Sequence, residues 1–289
     1  MDTLTPGTLL ARRYRLLDRI GVGGMSVIWR AHDEMLDRLV AAKVLASSLA
    51  ADARFREWAR DEARSAAALD HPAVTAVYDY GEAVNEDGTI SPYVVMELLD
   101  GEPLSARLTS GPLPWREAVR ICAAVAGALA AAHRRGVVHR DITPDNIMLT
   151  ETGVKVLDFG IATRVGTPDD DEDGATFGTP AYVAPERLDG RKARAENDTY
   201  ALGVVLYEML TGRPPFPVET WEELAALPRT EPPRPSGVPG LPSPVADLCQ
   251  RCLAPDPLDR PTASQIARQL RRYQSGVVQR LRRRTTLLA

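Results

Sequence analysis

The sequence predicts an α+β fold in two lobes, a small β-rich lobe with one helix followed by a larger, mainly helical lobe. Three observations predict it. The chain has 289 residues, more than a usual single domain. Strand-like segments crowd the stretch from Tyr14 to Tyr80, with one helix among them, and helical character takes over after Leu99. The composition, 44% hydrophobic and 26% charged, is that of an ordinary globular protein.

The elements follow in order. "YRLLDRI" and "SVIWRAHD" read as strands around a glycine cluster, and "RLVAAKVL" as a third strand. Arg54 to Leu69 is rich in Ala, Arg and Glu and reads as the lobe's helix. "HPAVTAVYDYG" and "SPYVVMELL" are further strands, separated by a polar turn at Asn85 to Gly88. Pro114 to Arg135 is a long helix with Pro at its start, Arg134 and Arg135 in its last turn and Gly136 just beyond. Two short apolar pieces then flank a polar loop, His139 to Asn146. Asn197 to Leu210 is apolar on nearly every side, the mark of a buried helix. Ten prolines between Pro214 and Pro244 predict a loop-dominated region, and a last helix is expected near Ala263 to Tyr273. These boundaries give an N-terminal extension (1–13), a first lobe (14–98), a second lobe (99–274) and a basic tail (275–289). No internal repeat is visible.

Charge and composition exclude several classes. Thirty-five basic and 39 acidic residues give a net charge of −4, against the basic balance of a nucleic-acid binder. No stretch reaches the ~18 apolar residues of a membrane span; the longest candidate, Ile121 to Ala132, is Ala-rich and ends at His133. No secretory signal is read at the N-terminus, and three cysteines fit a reducing, cytoplasmic setting. Cys249 and Cys252 form a CxxC. A zinc site would need two more ligands and there is no second CxxC, so they are read as two small residues on one helix face.

The chemistry-bearing residues come in a fixed order. Gly21, Gly23 and Gly24 sit between two strands, where missing side chains let backbone approach a phosphate; hairpins alone also use such glycines. Lys43 has apolar neighbours and needs a counter-charge, which Glu62 on the helix of the same lobe can provide. In the polar loop, Asp141 could accept a proton from a hydroxyl. Asn146 and Asp158, the latter before Phe159 and Gly160, are hard oxygen ligands suited to Mg²⁺.

With these residues in place, the chain resembles the eukaryotic-like (Hanks-type) protein kinases, most of all their bacterial Ser/Thr members. "GVGGMSVI" resembles the glycine-rich loop, with Ser26 in place of its third glycine and Ile28 after it. "AAK" (Ala41 to Lys43) resembles the third-strand motif, "HRDITPDN" the catalytic loop, "DFG" the metal-binding motif, and "GTPAY" with "APE" the substrate shelf and the end of the activation segment. Asp198 matches the acid that opens the buried helix, and Arg260 the arginine that pairs with Glu186. The resemblance covers about Tyr14 to Tyr273.

It implies a bilobal protein-kinase fold with a ligand cleft between lobes and MgATP-dependent (or Mn²⁺-dependent) phosphorylation of Ser or Thr on proteins, itself included. Lys43, positioned by Glu62, would hold the α- and β-phosphates, and Asn146 and Asp158 the metal. Asp141 would serve the acceptor hydroxyl. Ala41, Met96 and Glu97 to Leu99 would border the adenine. The partners implied are protein substrates, with a kinase homodimer as a further expectation.

Two departures bear on function. Thr143 stands where such kinases usually carry lysine, which leaves open a pseudokinase that binds ATP or partners without transfer. The acidic run Asp169 to Asp173, with Asp171 and Asp173 where relatives often carry phosphothreonines, could present fixed charge to Arg140 or be a plain solvated loop. Thr176 and Thr179 complete the regulatory candidates. A small-molecule phosphotransferase is the third class; "GTPAYVAPE", a peptide-binding shelf, speaks against it.

Overall fold

In the computed structural model the described residues are 4–23, 26–45, 53–84, 88–158, 163–164, 179–189, 194–227 and 231–285. The chain divides into two units, Met1–Asp70 with Thr75–Asp100, and His71–Val74 with Gly101–Ala289.

Among the described residues, the first unit is a six-stranded antiparallel sheet with one helix. Its strands are β1 (Leu9–Leu10), β2 (Tyr14–Val22), β3 (Ser26–Asp33), β4 (Arg38–Leu45), β5 (Val77–Val84) and β6 (Ile90–Met96), in the order β1-β2-β3-β4-β6-β5. Helix α1 (Ala53–Ala67) lies between β4 and β5 in sequence and packs on β5 and β6. The two-residue period of a strand sorts the side chains. Tyr14, Leu16, Trp29, Ala31, Val40, Ala42, Val44, Tyr93 and Val95 face one core.

The segment before Tyr14, expected as an extension, is part of this sheet. β1 pairs with β2, and Leu4 and Leu10 are buried in the same core. The turn between the strands uses Ala11 and Arg12 at φ 46° and 56°. Such turns favour Gly or Asn, and neither is present to advertise the hairpin. Side chains tie β2 to the far edge strand. Tyr14 Oη donates to Asp79 at 2.6 Å, and Arg13 forks onto the buried Asp33 at 2.8 and 2.7 Å. Those bonds from Arg13 hold the Asp33 carboxyl below its ordinary range.

The second unit contains β7 (Gly101–Pro103), α2 (Leu104–Leu108), α3 (Trp115–His133), β8 (Val137–Val138), β9 (Ile147–Thr150), β10 (Gly153–Val156) and β11 (Thr163–Arg164). It continues with α4 (Ala195–Thr211), α5 (Trp221–Ala226), α6 (Ser243–Cys252) and α7 (Ala263–Thr285). β7, β9 and β10 form one antiparallel sheet, and β8 pairs with β11. "HPAV", expected to start a strand of the first lobe, instead belongs here. Val74 bridges Val156 in parallel, and Val156 N–H donates to the Ala73 carbonyl at 2.8 Å.

α3 explains the Ala-rich run that was the longest membrane candidate. Every residue from Ile121 to Ala132 is at least largely buried, enclosed by α4 and α7. No helix among the described residues is long and apolar enough to cross a membrane. α4 is buried from Asn197 to Leu206 and ends on Gly212, left-handed at φ 83°.

The proline-rich stretch is loop-dominated among its described residues, as expected, while the bounds of the last helix need correction. The proline-rich stretch holds α5, started by a capping box in which Thr220 Oγ1 accepts from Glu223 N–H at 3.2 Å. α7 runs on to Thr285: no proline follows Tyr273, and Arg280 with Arg282 to Arg284 favours helix, although Gly276 falls within it.

The CxxC is packing. Cys249 and Cys252 are buried on α6, all three cysteines are free, and burial pushes their thiols up, away from reactive thiolates. Cys249 Sγ donates to the Gly203 carbonyl at 3.6 Å, and a Cβ built on Gly203 would lie 2.6 Å from Cys252 Cβ. Gly203→Ala therefore forces α4 and α6 apart. It is expected to cost about 1–3 kcal/mol in chemical denaturation; an unchanged midpoint would mean that α6 shifts freely.

Candidate active site

In the first unit, register places the sequence-predicted residues on one sheet face. Ile28 pairs with Lys43 across β3 and β4, Lys43 with Val94, Ala41 with Met96, and Gly21 with Ile28. These positions alternate with the core-facing Val40, Ala42, Val44 and Val95, so they occupy the face away from the core. Lys43 is half-buried there. A Cβ on Gly21 would make only ordinary contact with Ile28, and one on Gly23 would meet nothing closer than 3.6 Å. Nothing described within the chain requires glycine at either place. Gly23 N–H donates to the Ser26 carbonyl at 2.9 Å, and Glu97 N–H to that of Ala76 at 2.9 Å. The backbone of Glu62 lies on α1; its side chain, and Gly24, fall outside the described residues, as do Asp171, Asp173 and Thr176.

In the second unit a backbone lattice gathers Asp141, Asn146 and Asp158. Leu157, just before Asp158, is held through both of its peptide groups. Its N–H donates to the Asn146 carbonyl at 2.9 Å, and its carbonyl accepts from His139 Nε2 at 2.9 Å. Since a carbonyl can only accept, Nε2 carries the proton and Nδ1 is the acceptor, which suits the Asp141 N–H at 3.3 Å. Asn146 Nδ2 donates to the Asp141 carbonyl at 2.8 Å and to its carboxylate at 2.7 Å. The amide oxygen of Asn146 is thereby turned away from Asp141. Thr143 is buried, 3% exposed, ahead of the short turn Pro144–Asn146.

Strain collects at the same place. Arg140 and Asp158 are left-handed, at φ 71° and 37°. Such conformations persist in non-glycine residues only when surroundings over-determine them. Asp198, at the start of α4, supplies much of that. It is 1% exposed and accepts from His139 N–H (2.9 Å), Arg140 N–H (2.8 Å) and His133 Nε2 (2.7 Å). Burial alone would raise the Asp198 carboxyl, but the His133 bond and the neighbouring histidines outweigh it and hold the group below its ordinary range. The sign follows. A depressed carboxylate stabilises above its unfolded pKa, and that contribution is lost as pH falls through the folded one. In acid titrations monitored by circular dichroism, Asp198→Asn is expected to be less stable at neutral pH and to lose less on acidification. A slope identical to the unmutated chain would rule this linkage out.

The end of the segment "GTPAYVAPER" is pinned to α4. Tyr182 Oη donates to Glu208 at 2.7 Å, while Thr179 is exposed ahead of the turn Pro180–Tyr182. Arg260 forks onto Glu186 at 2.6 and 2.8 Å, and Asn197 Nδ2 adds a third donor at 2.8 Å. His133, Arg187 and Glu208 were not singled out by sequence. Only the i to i+65 meeting of His133 with Asp198 gives the first its role, and no local pattern signals it.

A model of the protein kinase domain matches residues 14–270. The chain belongs to the protein kinase family. Among curated kinases it is 42% identical over 257 residues to serine/threonine-protein kinase PknA of Mycobacterium tuberculosis, a match covering 88% of this chain and 59% of PknA. It is 40% identical over 280 residues to PknB of the same species, covering 94% of this chain and 45% of PknB. The chain thus spans about three fifths of PknA and under half of PknB. Among solved structures, the kinase domain of M. tuberculosis PknI matches with a TM-score of 0.73 at 28% identity, over 94% of this chain and all of that one. The bilobal kinase fold expected from the motifs is therefore the fold of this chain, and its bacterial Ser/Thr kinase resemblance holds.

Proposed function

We propose that this chain transfers the γ-phosphoryl group of MgATP to Ser or Thr hydroxyls of proteins, including its own. The observation that carries this is the lattice through Leu157, which ties Asp141, Asn146 and Asp158 together with the tautomer of His139 set. Phosphoryl transfer asks mainly for positioning and charge neutralisation. Asp141 orients the acceptor hydroxyl and takes its proton, its carboxylate steadied by Asn146. The Asn146 amide oxygen and the Asp158 carboxylate are the hard oxygens that would hold Mg²⁺ or Mn²⁺, which neutralises phosphate charge when bound. Lys43 takes the α- and β-phosphates, positioned by Glu62. Gly21, Gly23, Gly24 and Ser26 let backbone approach the phosphates, in keeping with the absence of an internal need for glycine at the first two. Ile28, Ala41 and Met96 give the base apolar walls. Since the Glu97 N–H is engaged by Ala76, Glu97 offers adenine its carbonyl, and Leu99 its backbone.

The deciding experiment is incubation with labelled ATP, Mg²⁺ and a general protein substrate, beside Asp158→Asn. Label on chain and substrate only in the unmutated protein supports the reading. No label in either sinks it and leaves the pseudokinase, the alternative that Thr143 favours. Thr143→Lys is expected to raise the turnover about 10²–10³-fold, the scale of one lost charge stabiliser. No gain in steady-state rate would show that this site works without that cation. Arg140, Asp171, Asp173, Thr176 and Thr179 are the proposed regulatory positions; replacing the five acids of residues 169–173 by Asn and Gln is expected to lower the unphosphorylated rate.

A further inference from the structure

Arg187 directly follows Glu186 and has no part in the reading above, yet it is 2% exposed. A buried guanidinium persists only where its donors are used. Arg187 NH1 donates to the carbonyl of Arg140 at 3.1 Å, and its own N–H is anchored on the Ala184 carbonyl at 3.0 Å. The carbonyl it holds belongs to the peptide that joins Arg140 to Asp141. At the other end of that peptide, the Asp141 N–H donates to His139 Nδ1. The preceding peptide is fixed through the Arg140 N–H on Asp198.

Arg140 is left-handed. Turning over the Arg140–Asp141 peptide is a local motion that would re-aim the Asp141 side chain. Asp198 holds the two peptides before that one, through the His139 and Arg140 N–H groups, and makes no bond to the Arg140–Asp141 peptide itself. A charge-assisted bond to the carbonyl opposes that motion, because the flip would break that bond together with the Asp141 N–H bond to His139 Nδ1. We propose that Arg187 is a positioning residue: it locks the Arg140–Asp141 peptide plane, and so aims the Asp141 carboxylate, from the short turn Pro185–Asp189. The catalytic loop is thereby coupled to the end of the "APER" segment. The proposal rests on Asp141 being the proton acceptor.

The test uses Arg187→Met, which keeps length and loses charge, and Arg187→Lys, which keeps charge. Turnover, KM for ATP, melting temperature and amide hydrogen exchange over residues 139–141 are read for both. Met is expected to lower kcat about 100-fold, the scale of an ångström-level misplacement, with KM for ATP unchanged and exchange over 139–141 raised. Lys is expected to recover part of kcat and the protection. Full kcat with unchanged exchange in Met would overturn the proposal. So would a Lys variant as impaired as Met with an equally lowered melting temperature, since that would reveal packing alone. Should the unmutated chain transfer no phosphoryl group, the reading of Asp141 falls, and exchange alone decides whether Arg187 locks the peptide.

Discussion

Arg260→Met is expected to destabilise the second unit by about 3–5 kcal/mol, the largest stability effect among the single replacements considered. Arg260 and Glu186 have side-chain exposures of 0% and 6%, so water cannot compensate either charge. The replacement leaves the Glu186 carboxylate buried and without its two guanidinium donors, with the Asn197 Nδ2 bond retained. Arg260 also donates to the carbonyls of Ala254 and Glu196 and lies 4.8 Å over the Tyr200 ring, so three elements lose an anchor together. In thermal denaturation the loss corresponds to roughly 6–20 °C. The double variant Glu186→Met/Arg260→Met separates the pair from its burial. Removing both charges removes the stranded carboxylate, so the double variant is expected to be more stable than Arg260→Met alone. If the single and double variants melted together, the stranded charge would not be the cause.

The same pair shows what sequence could and could not reveal. Glu186 and Arg260 are 74 positions apart, and only the resemblance to kinases brought them together; no periodicity does so. The strands β2, β3, β4 and β6 were legible because short runs rich in β-branched, aromatic and other apolar residues, bounded by turn signals, survive without tertiary information; β6 in particular is buried continuously from Ser91 to Val95. β1 was not, because its turn uses Ala11 and Arg12 in conformations other residues usually adopt. β5 was read too early, because "HPAV" is apolar in either unit and its backbone ties to Val156, through Ala73 and Val74, assign it to the second. The proposed site residues were read as types and spacings. Their mechanism of positioning was not: it lies in the Leu157 peptide groups, the His139 tautomer and the buried Asp198, which are backbone and long-range bonds.

Asp141→Asn is expected to lower kcat by about 10²–10⁴-fold, the range for removing a positioned general base. The replacement separates basicity from geometry. An asparagine at 141 can turn its amide oxygen toward Asn146 Nδ2 and keep that contact, and its main chain keeps the bonds to His139 Nδ1 and Asn146 Nδ2. What it cannot do is accept the hydroxyl proton. The fall should therefore appear in kcat, with KM for ATP and the Mg²⁺ concentration dependence unchanged. Asp158→Asn is the contrast, since it removes a proposed metal oxygen and should shift the Mg²⁺ dependence to higher concentration. Steady-state phosphorylation across an Mg²⁺ titration reads both at once. A full-rate Asp141→Asn enzyme would remove the carboxylate from the proton's path, and a shared Mg²⁺ shift in the two variants would mean that Asp141 serves the metal instead.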